Sequence, residues 1–169
     1  MQAVVVAAPF TGKANQFTQT MRDEMAARTI RILIVDDDPA DAEIIQELLE
    51  ECATALEIHV VHDGVDALEH LSSCTRVPGG GLPDLVLLDL NMPRKDGREV
   101  LQEIRATEQL QHLPVIILTT SQEDEEIEQA YRLGANCYIS KPAAMADFER
   151  LVNAIELFWM QTARLPQSR

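Results

Sequence analysis

The chain is poor in the residues that mark secreted, membrane-spanning or nucleic-acid-binding proteins. Its 169 residues include only three cysteines, Cys52, Cys74 and Cys137. The count is odd and no Cys-x-x-Cys pair occurs, so neither a disulfide framework nor a zinc site is suggested. Basic residues are scarce: 14 Lys and Arg stand against 28 Asp and Glu, a net charge of −14. With no basic cluster, such a surface repels a nucleic-acid backbone and an anionic membrane alike. No apolar run approaches the roughly 20 residues needed to cross a bilayer. The opening MQAVVVAAPF is apolar but lacks a basic segment and is too short for a secretory signal. Repeats and low-complexity tracts are missing. The expectation is a soluble, acidic, cytoplasmic protein whose length suits one domain. Apolar residues make up 46% of the chain, enough for a sizeable core and against wholesale disorder.

What is present divides the chain into an extension (1–28), a regular domain (29–160) and a short tail (161–169). In the extension Phe17, Met21 and Met25 recur at i, i+4, i+8, which reads either as a short amphipathic helix or as a loose tail. From residue 30 strands and helices alternate. IRILIV (30–35), LVLL (85–88) and VIIL (115–118) are solid apolar runs, as expected of parallel strands covered on both faces. Leu56, Ile58 and Val60 alternate with polar residues, and CYIS (137–140) reads as a fifth, short strand. Helices are expected from Pro39 behind an Asp38 cap, around Val65–Leu71, over Gly97–Ala106, after Ser121, and from Pro142 to about 160. Ser121 with Asp124 resembles a capping box, and the acidic run 123–126 suits a helix's first turn. SSCTRVPGGGLP (72–83) reads as a loop. The pattern predicts an open α/β fold, a doubly wound five-stranded parallel sheet whose site lies beyond the carboxyl ends of the strands.

Those ends carry a consistent chemistry. Asp36, Asp37 and Asp38 follow strand 1, Asp89 and Asn91 follow strand 3, Thr119 ends strand 4, and Lys141-Pro142 follows strand 5. Each alone has a bland reading: a solvated acidic loop, a turn former, a surface lysine. Their joint placement makes the bland reading poor. Carboxylates converging on one edge repel, and a divalent cation relieves that repulsion. Oxygen-only ligands favour magnesium. Asp89 is then placed to act as a carboxylate nucleophile toward phosphorus, with Lys141 and Thr119 on the phosphoryl oxygens. His59, His62, His70 and His112 share no metal-ligand pattern and read as surface or structural.

The acidic pair, LLDLNMPRKDG, LTTS and YISKP, in that order, resemble the response-regulator receiver domain of two-component signalling over about residues 30–157. The resemblance implies a flavodoxin-like (βα)5 fold with strand order 2-1-3-4-5. It implies Asp89 as phosphoacceptor, Asp36 and Asp37 as the metal-side acids, and the Asn91 carbonyl as a magnesium ligand. It implies Thr119 and Tyr138 as switch residues, Lys141 as the phosphoryl contact with a cis bond to Pro142, and Asn91 and Ser121 as tuners of phosphoryl lifetime. LLDLNMPRKDGREVLQEIR and LPVIILTTSQEDEEI look like the single-domain receivers that serve bacterial phytochromes, especially cyanobacterial ones. The implied partner is a light-sensing histidine kinase. The protein would catalyse its own phosphorylation and dephosphorylation without being a turnover enzyme.

No effector module is expected after the last helix. Output is therefore expected from a switching surface of helix 4, strand 5 and helix 5, or from onward transfer to a histidine phosphotransfer protein. Phe158, Trp159 and Met160 cannot all face one core from one helix. At least one is expected at a homodimer or partner interface. Three rivals remain. A flavodoxin would need a Ser/Thr/Gly-rich phosphate loop where three acids stand. An aspartate-based phosphohydrolase would need an acid where Asn91 stands. A scaffold with a dormant site would keep these residues unused.

Overall fold

The computed structural model describes residues 29–76 and 81–166. The 1–28 helix expectation and part of the glycine-rich loop lie outside them. Five parallel strands, β1 (Ile30–Val35), β2 (Leu56–Val61), β3 (Leu85–Leu88), β4 (Val115–Thr119) and β5 (Cys137–Ser140), form one sheet in the order β2-β1-β3-β4-β5. This is the flavodoxin-like order. The alternating helices are α1 (Pro39–Glu50), α2 (Gly64–Arg76), α3 (Gly97–Ala106), α4 (Asp124–Arg132) and α5 (Met145–Ile155).

The sheet separates two apolar layers. Leu33, Val35, Val86 and Ile117 meet Leu71 of α2, Val100, Leu101 and Ile104 of α3, and Ala130 of α4. Ile32, Ile34, Leu87 and Ile116 meet Ile45 and Leu49 of α1 and Phe148, Val152 and Ile155 of α5. Alternate residues of one strand thus serve opposite layers, which is why the central strands are apolar throughout. The edge strand β2 keeps one wet face, with Glu57 and His59 exposed.

Local chemistry sets the element ends. Asp38 caps α1 by accepting from Ala40 N at 2.9 Å, with Pro39 at the first position. Asp96 and Glu99 form a reciprocal capping box on α3. Gly97 touches the end of β3 so closely that an added Cβ would lie 2.8 Å from the Leu90 Cα. The helix after β3 can therefore begin against the strand end only with glycine there.

Four expectations are corrected. First, α2 runs on through Arg76 into the stretch read as loop. There Ser73 and Thr75 hydroxyls donate back to the His70 and Ser72 carbonyls at 2.7 and 2.9 Å, and Arg76 suits the negative helix end. Second, Ser121 forms no capping box. The α4 cap is Glu123, without a side-chain bond, and Ser121 Oγ accepts from Glu123 N at 3.3 Å. Third, the Lys141–Pro142 bond is trans. The trans form is the intrinsically favoured one, and in it Lys141 still reaches its carboxylates. Fourth, Glu156–Met160 form a single π-helical turn, with Gln161 N donating to Glu156 O at 3.1 Å and Ala163 N to Phe158 O at 2.7 Å. The wide turn slips the inward face by one residue. Met160 becomes core at 1% exposure, while Phe158 turns outward at 55%.

Candidate functional site

The parallel sheet delivers its carboxyl ends to one edge, and the ends of β1, β3, β4 and β5 supply side chains there. Asp36 directly follows β1, its N–H held by the Val61 carbonyl at 3.1 Å. Asp89 directly follows β3, its N–H held by the Val35 carbonyl at 2.9 Å. Both acids are buried, as are Thr119 and Lys141. Lys141 N donates to Thr119 O at 2.7 Å, which fixes where the lysine leaves the sheet.

The Lys141 ammonium is the hub. Its Nζ lies 2.7 Å from Asp36 Oδ2, 2.9 Å from Asp89 Oδ2 and 3.0 Å from Asp41 Oδ2. One carboxylate oxygen each from Asp36, Asp37 and Asp89 lies within 4.8 Å of the others. Three carboxylates thus share one ammonium, with Asp37 adjoining two of them. Burial raises the Asp36 carboxyl from its ordinary value to about 6; the nearby Asp89 charge adds to this, against the lowering by Lys141 and the Asp38 N–H. Burial works against the Lys141 charge, but the Asp36 and Asp89 carboxylates outweigh it and raise the ammonium's pKa. Both shifts have one meaning: the site carries surplus negative charge and retains positive charge or protons. A divalent cation with a preference for oxygen meets that need, and Asp36, Asp37 and Asp89 are the residues able to hold it.

The remaining predicted residues lie around this core. Asn91 N donates to Asp89 Oδ1 at 3.1 Å, and Asn91 Nδ2 to Thr119 Oγ1 at 3.2 Å. Thr119 is fully buried, so its hydroxyl is aimed by the fold. Tyr138 Oη donates to the Ser121 carbonyl at 3.2 Å, and Ser140 Oγ donates to the same oxygen at 3.3 Å. Tyr138 is half-buried against the α2–α4 layer, beside the loop that follows Thr119. Phe158, Trp159 and Met160 take no part. They lie at the end of α5, where Phe158 and Trp159 meet edge to face with ring centres 5.2 Å apart.

Two features escaped the sequence reading. Asp41, in the first turn of α1 beyond the Asp38 cap, bonds Lys141. Asp63 is also buried. It caps α2 through Val65 N at 2.7 Å and Asp66 N at 3.0 Å, and pairs with Arg94. Arg94 sits in the left-handed region at φ 65°, a conformation a non-glycine residue holds only when its surroundings impose it. The loop after Asp89 is thereby tied to α2. His62 is structural as expected: its Nδ1 donates to the Asp36 carbonyl at 2.9 Å.

A buried lysine among convergent aspartates, at the carboxyl edge of a 2-1-3-4-5 sheet, defines a carboxylate-centred α/β module. Residues 32–156 match the family model of the response regulator receiver domain. The chain belongs to that family. It is 39% identical over 135 residues to the response regulator Rcp1 of Synechocystis sp., covering 80% of this chain and 92% of Rcp1. Among solved structures, the phosphorylated cyanobacterial phytochrome response regulator RcpA superposes with a TM-score of 0.78 at 41% identity, covering 83% of this chain and all of that one. The Mn2+-bound form of Rcp1 superposes with a TM-score of 0.75 at 38% identity, covering 82% of this chain and 99% of that one.

Proposed function

We propose that this chain is a response regulator that accepts a phosphoryl group on Asp89 from a phytochrome-type histidine kinase. The observation that carries the reading is the Lys141 ammonium shared between Asp36 and Asp89, with Asp37 adjoining. An Asp89 carboxylate oxygen forms a bond to phosphorus as the P–N bond of a kinase phosphohistidine breaks, and the imidazole departs with its electron pair. Asp36, Asp37, Asp89 and the Asn91 carbonyl would hold magnesium, which when bound would neutralise charge on the phosphoryl oxygens. Lys141 orients the nucleophile and then contacts the new phosphoryl group. Thr119 turns its hydroxyl toward the same oxygens, and Tyr138 follows into the space it leaves. Asn91 and Ser121 flank the path of the hydrolytic water and set the lifetime.

The added charge biases the surface of α4, β5 and α5 between two arrangements. Tyr131, Met145, Leu157 and Phe158 are exposed there and at the adjoining end of α5, and they suit a homodimer or partner contact. A phytochrome histidine kinase carrying labelled phosphohistidine tests the reading. Label should move to the chain in the presence of Mg2+ and leave it by hydrolysis. Label that stays on the kinase while a related receiver accepts it rejects the assignment of partner. Label passing onward to a histidine phosphotransfer protein would place the chain within a relay.

A further inference from the structure

α1 and α5 pack on the same face of the sheet, and their C-terminal ends enclose a groove of about 310 Å³. Leu48, Cys52 and Val152 form its apolar floor, and Glu51, Glu149 and Glu156 stand around it. None of the residues of the carboxylate site lines it. The chain enters the sheet beside this groove: Ile30 N donates to Ala55 O at 2.9 Å, and Ala55 lies just past Cys52 in the chain. We propose that the groove is the docking site for residues 13–25 of the same chain, packed as a short amphipathic helix. Phe17, Met21 and Met25 lie on the apolar floor, and the basic residues turn toward the acids.

Pattern, charge and reach favour this occupant. Phe17, Met21 and Met25 recur at i, i+4 and i+8, a single helical stripe about 12 Å long at about 1.5 Å per residue. Helical spacing puts Lys13 and Arg22 on the two flanks of that stripe and Asp23 opposite it. Residues 1–28 hold Lys13, Arg22 and Arg28 against Asp23 and Glu24, a surplus of positive charge within a chain of net charge −14. The three glutamates of the groove attract that surplus, whereas a second copy of the chain, acidic as a whole, is repelled. Residues 26–29, extended at about 3.3 Å each, span about 13 Å, more than the roughly 10 Å thickness of one helix. So short a connection holds the segment near the groove at an effective concentration on the order of millimolar, and modest contacts then suffice to seat it. The segment precedes the receiver match of residues 32–156, so it is an addition to the family's domain.

Methyl-resolved NMR of the full chain, labelled at its methionine, leucine and valine methyls, is the test. The expected result is a set of nuclear Overhauser contacts from the Met21 and Met25 methyls to those of Leu48 and Val152. They should persist when the labelled chain is diluted into unlabelled, deuterated chain. Phe17→Glu and Leu48→Gln should each remove these contacts and speed trypsin cleavage after Arg22 about tenfold or more, with urea unfolding of the domain still cooperative. Gln19→Glu, which sets the same charge on the opposite side of the segment, should leave both readouts as they are. Contacts that vanish on dilution would assign the groove to a second copy and overturn the proposal. So would absence of the contacts in the unaltered chain, or cleavage after Arg22 as fast there as in Phe17→Glu.

Discussion

Asp84 and Asp89 bracket the same short strand, one at each end of β3, and both are buried. Their surroundings differ. Asp84 accepts from Arg31 N at 2.9 Å and returns its own N–H to Arg31 O at 2.7 Å, which stitches the entry of β3 to β1. Asp63 is similar, a buried acid given to helix capping and to Arg94. Such acids are stabilised by donors that the fold supplies locally. Asp89 instead shares one ammonium with Asp36 and Asp41 and lies beside Asp37. Burial alone therefore does not mark function in this molecule. Convergence of like charge is what sets the proposed site apart, because such a surplus opposes folding unless positive charge offsets it.

That contrast can be broken by substitution. Lys141→Met removes the only ammonium from the carboxylate cluster. The metal-free protein should lose about 3–5 kcal/mol, the usual penalty for stranding a buried charge. Urea unfolding with and without Mg2+ checks this: Mg2+ should stabilise the variant more than the unaltered chain, and equal stabilisation would count against the cluster as the metal site. Asp84→Ala should cost less, about 1–3 kcal/mol, because one buried backbone donor loses its acceptor. Its Mg2+ response should be unchanged in the same titrations. The smallest effect concerns reactivity. Burial first, and then the Glu156 carboxylate, push the Cys52 thiol up to about 12. The folded protein should hold almost no Cys52 thiolate at pH 8, and alkylation there should be slow, rising with pH. Mass-resolved iodoacetamide labelling, compared with the urea-unfolded chain, measures it; equal rates would refute the shift.

The sequence made the strand ends legible because solid apolar runs stop abruptly at polar residues, as at Val35-Asp36 and Leu88-Asp89. In an all-parallel sheet those stops fall on one edge, so Asp36, Asp37, Asp89, Thr119 and Lys141 were within reach of pattern alone. Asp41 was not, since its contact depends on how α1 rotates over the sheet. The π-helical turn was equally hidden: no residue in ELFWM forces it, and packing of Met160 decides it. The trans bond before Pro142 lay beyond pattern too, because either isomer is compatible with a lysine at that strand end.

The central claim is that Asp89, and not Asp84, buried at the other end of β3, receives phosphorus. Intact mass after incubation with acetyl phosphate and Mg2+, run in parallel on the unaltered chain, Asp84→Asn and Asp89→Asn, tests it most directly. The account predicts one added phosphoryl group on the first two and none on Asp89→Asn. A phosphoryl group retained by Asp89→Asn, or lost only in Asp84→Asn, would contradict it.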